Sequence, residues 1–366
     1  MILMNDFKAE PDEVRIAMLQ AAKRVLESGW YVLGKEVEAF EQQWANVCDV
    51  AYGVGVGNGM DAIEIALRSL DIGPGDEVIT TPMTAFATVL AILRAGAVPV
   101  LADIEQDTAL LSIESVQRCI SPQTKAVVLV HLHGEVRNMH SWVSFCKEQG
   151  IVLIEDCAQA HLATWQGKVA GSFGQVGAYS FYPTKNLGAP GDGGMLVTNN
   201  ESVAKKASRL RNYGQSVRYH HPELGMNSRL DEIQAAMLAE RLNWLPEFTQ
   251  RRREIAAAYR EGITNPLVNL LSAPQENSSH AYHLFVVKCE TRDKLQAHLL
   301  SCGVQALIHY PIPVHHQPPC INLARDPQGL KNSERHANTC ISLPCHPQMT
   351  NNEVTKVIFA VNSSPD

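Results

Sequence analysis

One lysine lies where an apolar segment gives way to a loop rich in glycine and proline. Lys185 belongs to SFYPTKNLGAPGDGG (180–194) and follows the apolar segment AYSFY (178–182). An amine placed at the end of a strand can form a Schiff base with a carbonyl compound. Ser180, five residues before Lys185, can donate a hydrogen bond to a phosphate. A single loop lysine is more often a solvated surface charge, and the residues alone leave both interpretations open.

A carboxylate ends another apolar run. Asp156 closes IVLIED (151–156), beside Glu155. Ligands of open α/β sheets bind at the carboxyl ends of the strands. A carboxylate buried there requires a cationic partner, and a protonated ring nitrogen is one such cation. The alternative is a cap for the segment that follows.

A third candidate is the glycine-rich segment GVGVGNGMD (53–61). Glycines between a strand and a helix let backbone N–H groups approach a phosphate at the positive end of the helix. The spacing matches neither the dinucleotide fingerprint nor a P-loop. Phosphate binding and a plain tight turn are therefore both possible.

The elements that must position these residues follow from the hydrophobic pattern. Amphipathic stretches predict helices, and short continuous apolar runs predict strands buried on both faces. Their alternation predicts an α/β domain with a mostly parallel sheet. The predicted helices include 12–28, 37–47 and 87–96, the last closed by Gly96, and the predicted strands include 98–103, 126–134 and 151–156.

The alternation ends near residue 200. A long helical stretch follows, interrupted at Pro246, and after it HLFVVKC and NNEVTKVIFAV suggest a small α+β unit. We therefore predict a large domain at 1–245 and a smaller C-terminal domain at 246–366.

Composition excludes several classes of protein. The 366 residues are 45% hydrophobic and carry a net charge of −7. This apolar content is too high for disorder, and the charge gives no footprint for nucleic acid or an anionic membrane. The nine cysteines, which form no CxxC pair, are typical of free thiols in a cytoplasmic protein. Two histidines of HLH (131–133) share a face of the predicted strand, but no ligand set has recognisable spacing, so we expect no metal.

Several phrases together resemble the DegT/StrS-type (DegT/DnrJ/EryC/StrS) sugar aminotransferases, which depend on pyridoxal phosphate (PLP). The phrases are EDCAQAH, SFYPTKNLGAPGDGG and GMNSRLDEIQAA, with ESGWYVLGKEVEAFE near the start and IHYPIPVHHQP near the end. The resemblance covers nearly the whole chain. It implies the type I PLP-transferase fold, like that of aspartate aminotransferase, with a mixed, mostly parallel sheet in the large domain.

The resemblance also implies roles for single residues. Lys185 matches the catalytic Schiff-base lysine and Asp156 the carboxylate on the pyridine nitrogen. Met60 departs from the family, which commonly has Thr or Ser there, but its backbone N–H is retained. The implied cofactor contacts are Gly59, Met60, Phe86, Asp156, Gln159, Ser180, Lys185 and Asn227.

Two further implications concern the partner subunit and the substrate. Asn227 matches an asparagine that reaches the phosphate from the neighbouring subunit, which implies a homodimer with shared active sites. Histidine-rich segments are expected to surround a sugar nucleotide. The implied substrate contacts are Tyr219, His220, Arg229, His309, Tyr310 and His315.

The implied reaction transfers an amino group from an amino acid, typically L-glutamate in this family, to a keto-deoxyhexose linked to dTDP or UDP. It proceeds through a Schiff base on Lys185 and through pyridoxamine phosphate. The sequence most resembles family members that act on the C3 carbonyl of the sugar. The product would feed a polysaccharide or a decorated natural product. The alternatives are a PLP-binding regulatory protein without turnover and a PLP enzyme of another type, such as a sugar dehydratase.

Overall fold

The computed structural model describes residues 1–365 and contains an eight-stranded central sheet. The strands are β1 (Tyr52–Val56), β2 (Glu77–Thr80), β3 (Val98–Leu101), β4 (Thr124–Val130), β5 (Val152–Asp156), β6 (Thr164–Trp165), β7 (Lys168–Val169), β8 (Val176–Ser180), β9 (Gly194–Thr198), β10 (Asn269–Leu270), β11 (Phe285–Lys288), β12 (Ala324–Arg325) and β13 (Cys340–Leu343). The helices are α1 (Asp12–Ser28), α2 (Lys35–Val47), α3 (Gly59–Ser69), α4 (Phe86–Arg94), α5 (Ile113–Cys119), α6 (Met139–Gln149), α7 (Glu201–Leu210), α8 (Glu232–Leu242), α9 (Leu245–Gly262), α10 (Arg292–Ser301), α11 (Lys331–Thr339) and α12 (Asn351–Asn362).

The order of the central sheet is β1-β9-β8-β5-β4-β2-β3-β12. Neighbours from β8 to β12 run parallel, whereas β9 is antiparallel to both β8 and β1. This arrangement confirms the predicted α/β class with a mixed, mostly parallel sheet. The carboxyl ends of β5 and β8 therefore lie side by side.

The apolar run of β4 explains why helices cover both faces of the sheet. Successive side chains of a strand point to opposite faces. Val127 and Leu129 pack in one core with α2, α6 and α8, while Ala126 and Val128 pack in another with α3, α4 and α7. A strand enclosed in this way has no polar face, as the sequence indicated.

The C-terminal part builds a third core. The antiparallel sheet β10-β11-β13 packs with α9, α10 and α12, and Ile2 from the start of the chain joins them. The short strand β12 crosses back to pair with β3 of the central sheet. The domain boundary near residue 245 stays a prediction.

One of two local expectations was wrong. The strand containing HLH was predicted to reach residue 134, but β4 ends at Val130, and His133 lies in a 3-10 turn at φ 60°. The side chains of His131 and His133 therefore diverge instead of sharing a face. Helix α4 ends at Arg94, and Gly96 closes it as predicted, with φ 84° and its N–H donating to the Leu93 carbonyl at 3.0 Å. Within residues 1–365, no helix is both long and apolar enough to span a membrane.

Candidate active site

The candidate site lies at the carboxyl ends of β5 and β8. Asp156 and Ser180 are the last residues of these two strands, and Asp156 pairs in register with Ala178. Lys185 follows on the loop after β8, where its backbone N–H donates to the Tyr182 carbonyl at 2.8 Å. The sheet thus brings three of the predicted residues to one edge.

Asp156 is buried and accepts a hydrogen bond on each of its carboxylate oxygens. Its Oδ2 accepts from Thr88 Oγ1 at 2.8 Å, and its Oδ1 accepts from the Ala158 backbone N–H at 3.1 Å. Thr88 Oγ1 also lies 2.8 Å from Thr84 Oγ1. These hydrogen bonds fix the orientation of the carboxylate. Turns follow Asp156 rather than a helix, so the carboxylate does not cap one.

Thr88 was missed by the sequence analysis. It lies on α4, two residues after Phe86, and its contact with Asp156 spans 68 positions along the chain. The only local signal was the phrase TPMTAFAT, in which Thr88 and Phe86 share the first turn of a helix whose N-terminus lies at the site.

Lys185 is partly enclosed and is not a free surface charge. Burial lowers the pKa of its amine, and the nearby Asp156 carboxylate opposes this effect. A lowered pKa increases the fraction of the neutral amine at neutral pH, and the neutral form is the one that can act as nucleophile or base.

The glycine-rich segment forms a cradle beside Ser180. Helix α3 begins at Gly59, and its cap Asn58 accepts from the Asp61 N–H at 2.9 Å. The N–H groups of Gly59 and Met60 belong to the first turn, where no helical carbonyl accepts from them. A Cβ on Gly59 would lie 2.6 Å from Ser180 Cβ, so only glycine permits this approach.

Gln159 connects the backbone of His133 to the Tyr310 side chain. Its Oε1 accepts from the His133 backbone N–H at 2.6 Å, and its Nε2 donates to the Tyr310 hydroxyl at 3.3 Å. Burial raises the pKa of Tyr310 to about 12, which keeps the phenol neutral. Phe86, the first residue of α4, is partly buried and packs against a small apolar cluster that includes Val89 and Val314.

His309 lies close to this group. Its Nδ1 is 2.9 Å from Ser342 Oγ. Burial, followed by the charge of Lys185, lowers the pKa of His309 to about 4. The imidazole is therefore neutral at physiological pH and can exchange hydrogen bonds with hydroxyl groups.

Other predicted residues lie elsewhere in the single chain. Tyr219 is 80% exposed, and His220 Nδ1 is 2.9 Å from Ser216 Oγ. Asn227 is exposed and pairs with Asn212, to whose side chain Arg229 donates at 3.1 Å. Among the described residues, no hydrogen bond joins this segment to Lys185.

His315 was also predicted to contact substrate. Its Nε2 lies 3.1 Å from Glu334 Oε1 on α11. Its role toward a substrate stays a prediction.

Glu155, beside Asp156, is completely buried and holds the loop that follows β7. Its Oε1 accepts from the N–H groups of Phe173 and Gly174, and its Oε2 accepts from that of Gly171, each at 2.8 Å. His131 Nε2 lies 2.8 Å from the same Oε2. Both oxygens are thus saturated, and the end of β5 is fixed from one side.

Comparison with known proteins agrees with this fold. Residues 13–362 match the model of the DegT/DnrJ/EryC1/StrS aminotransferase family. The dTDP-3-amino-3,6-dideoxy-alpha-D-galactopyranose transaminase of Aneurinibacillus thermoaerophilus is 44% identical over 94% of each chain. The Pleiotropic regulatory protein of Geobacillus stearothermophilus is 38% identical over 97% of this chain and 96% of its own.

A solved structure also matches the fold of this chain. DesV of S. venezuelae, crystallised in complex with a ketimine intermediate, has a TM-score of 0.95 and 40% identity, covering 99% of this chain and 97% of its own. The chain belongs to the DegT/DnrJ/EryC1/StrS aminotransferase family. Members of this family are sugar aminotransferases that depend on PLP.

Proposed function

We propose that this protein transfers the amino group of L-glutamate to the C3 carbonyl of a dTDP- or UDP-linked keto-deoxyhexose. The observation that carries the proposal is the meeting of Lys185, the buried Asp156 and the Gly59–Ser180 cradle at one edge of the sheet. The relative from Aneurinibacillus, named for a dTDP-3-amino sugar, supports the nucleotide sugar and the ring position.

The residues at this edge fit PLP. The cradle offers N–H groups at a helix N-terminus and the Ser180 hydroxyl, which suit a phosphate. Asp156 offers a buried carboxylate for a protonated ring nitrogen, and Phe86 an aromatic ring for stacking. Lys185 would hold the cofactor covalently. When bound, PLP supplies an electron sink for the carbanion that forms when the donor loses its α-proton.

The remaining steps belong to the side chains of this protein. Lys185, once free, accepts the α-proton of the amino donor, and in the return half-reaction it delivers a proton to the sugar carbon. Its lowered pKa matches this double role because the amine must be neutral in one step and protonated in the next. Asp156, held by Thr88, keeps a positive partner charged throughout the cycle.

The sugar would lie against His309 and Tyr310. Both side chains are neutral, and their neighbours Ser342 and Gln159 fix their orientation. Neutral side chains can exchange hydrogen bonds with the hydroxyl groups of the sugar, and they do not attract the charged diphosphate. In the proposed homodimer, Tyr219, His220, Asn227 and Arg229 would reach the partner's site.

A regulatory role is the second candidate, because one relative is named as a regulatory protein. A regulator has no need of a lysine tuned for proton transfer beside a buried carboxylate. The position of Lys185 within the electrostatic influence of Asp156 therefore favours catalysis. A dehydratase remains the third possibility, and the assay below separates it.

The test is turnover with L-glutamate and dTDP-linked 3-keto-6-deoxyhexose, followed by mass spectrometry and NMR of the sugar product. We expect an amine at C3 and one 2-oxoglutarate for each sugar consumed. Loss of water from the sugar without 2-oxoglutarate would indicate a dehydratase. Absence of any product with dTDP- and UDP-linked 3-keto sugars would contradict the proposed acceptor.

A further inference from the structure

Two groups of potential metal ligands exist among residues 1–365, and both contain histidines. One comprises His131, Glu155 and Cys157, and the other comprises His315, His316 and Glu334. In the first group, three backbone N–H groups and an imidazole already saturate the carboxylate oxygens of Glu155. A cation there would have to break these bonds in a completely buried place, so the first group is structural.

The second group differs in its hydrogen bonding. Glu334 Oε1 lies 3.1 Å from His315 Nε2 and 3.8 Å from His316 Nε2. These are the two partners that its carboxylate has among the described residues. Two imidazole nitrogens therefore converge on one carboxylate oxygen from consecutive positions of a short 3-10 helix, Val314–His316.

The spacing of these atoms matches that of metal ligands. Zinc bonds to nitrogen and oxygen are about 2.0–2.2 Å long, so two ligands of a tetrahedral ion lie about 3.3–3.5 Å apart. The two observed separations, 3.1 and 3.8 Å, bracket this distance. All three ligand atoms lie within 4.8 Å of one another, so small side-chain movements would let one ion bind them and keep a fourth position for water.

The access from solvent also suits a cation. The side chain of His315 is 1% exposed, whereas those of His316 and Glu334 are 53% and 44% exposed, which leaves an open path from solvent.

We propose that His315, His316 and Glu334 form a binding site for a divalent transition-metal ion of the zinc type. Two imidazoles and one carboxylate are a typical donor set for Zn²⁺ with an open coordination position. The ion would connect the 3-10 helix to α11. The inference does not depend on the proposed transaminase activity.

The test is equilibrium dialysis of the chelator-treated, cofactor-saturated protein against Zn²⁺. We expect one high-affinity ion per chain. His316→Ala and Glu334→Gln should each weaken binding at least tenfold, whereas His140→Ala, an exposed histidine on α6 outside both groups, should not change it. Because His316 and Glu334 are half-exposed, these variants are expected to fold.

The visible absorbance of bound Co²⁺ tests the same metal site independently. Co²⁺ in a tetrahedral site of nitrogen and oxygen ligands absorbs intensely in the visible range, and the difference spectrum between wild type and Glu334→Gln removes the cofactor's own band. We expect this absorbance in the wild type and in His140→Ala only. Equal zinc affinity in the wild type and in His316→Ala, or no cobalt difference spectrum, would overturn the proposal.

Discussion

Asp156 and its partner Thr88 determine, at the scale of single residues, whether the site can hold a positive ring nitrogen. The hydrogen bond from Thr88 Oγ1 to Asp156 Oδ2 is 2.8 Å long and buried. In a site of low polarity, such a donor stabilises the carboxylate more than it would in water. The reactivity of the proposed cofactor should therefore depend on a threonine that contributes no chemistry itself.

Thr88→Val tests this dependence. Valine keeps the shape of threonine and removes the donor, and a hydrogen bond to a charged group contributes about 1.5–3 kcal/mol. We expect kcat to fall about tenfold to a hundredfold, since each 1.4 kcal/mol corresponds to a factor of ten. Thr84→Val, which removes only the partner of Thr88, is the matched control and should have a smaller effect. Unchanged kcat in Thr88→Val would show that Asp156 needs no such support.

At the scale of elements, the start of α3 and the end of β8 form the cradle together. Gly59 permits their contact, because any side chain there would lie against the Ser180 Cβ. The helix contributes N–H groups and the strand contributes a hydroxyl, so their separation fixes the size of the anion that fits.

Gly59→Ala should widen the cradle. Its Cβ would lie 2.6 Å from Ser180 Cβ and 3.1 Å from Ser180 Cα, so the helix must shift. We expect PLP affinity to fall about tenfold, which corresponds to about 1.4 kcal/mol, measured by titrating the apoprotein. Met60→Ala keeps the backbone N–H and should retain affinity within about threefold. Equal affinities of Gly59→Ala and wild type would exclude this cradle as the phosphate site.

Glu155 also connects two elements, because its carboxylate on β5 accepts hydrogen bonds from the backbone of residues 171–174. Glu155→Ala would leave three backbone N–H groups without their acceptor in a buried place. Loss of one partner in a buried charged network costs about 3–5 kcal/mol. We expect a decrease of that size in the free energy of unfolding by denaturant. The control Glu148→Ala, at an exposed position, should change the free energy of unfolding by less than about 0.5 kcal/mol. A decrease below about 1 kcal/mol for Glu155→Ala would show that Glu155 does not hold residues 171–174 in place.

At the scale of the whole molecule, the segment that carries Asn227 and Arg229 presents Asn227 to solvent and has, among the described residues, no hydrogen bond to Lys185. Asn227 is exposed, and the neighbouring Ser228 connects the segment to the cradle, because its Oγ accepts from the Gly57 N–H at 2.9 Å. In a homodimer with shared sites, this segment would complete the partner's site.

Subunit mixing tests the shared site. Lys185→Ala and Asn227→Ala chains are each expected to be nearly inactive alone. If Asn227 serves the partner, a mixed dimer has one complete site, because the chain that keeps Lys185 receives Asn227 from the other. Random mixing in equal amounts should then restore about a quarter of wild-type activity, as expected for a closed two-fold dimer. No recovery after verified exchange would place Asn227 in its own chain's site.

The sequence predicted the parts of this molecule that depend on local pattern. The apolar runs gave β4 and β5, and the loop after β8 carries Lys185 as expected. The hydrogen bonds that orient the site were not predictable because they join distant positions. Thr88 meets Asp156 across 68 residues, and His309 meets Ser342 across 33. The pairing of His131 with Glu155 depended on where β4 ends, which the apolar pattern did not reveal.

The most direct test of the central claim is the visible absorbance spectrum of the purified protein with PLP, before and after L-glutamate. We predict a yellow band from cofactor held by Lys185, which glutamate bleaches as 2-oxoglutarate appears in equal amount. Lys185→Ala should bind PLP without forming the lysine-linked band, and should release no 2-oxoglutarate. A band in the wild type that glutamate leaves unchanged would contradict the donor, and a wild-type spectrum identical to that of Lys185→Ala would contradict the central role of this lysine.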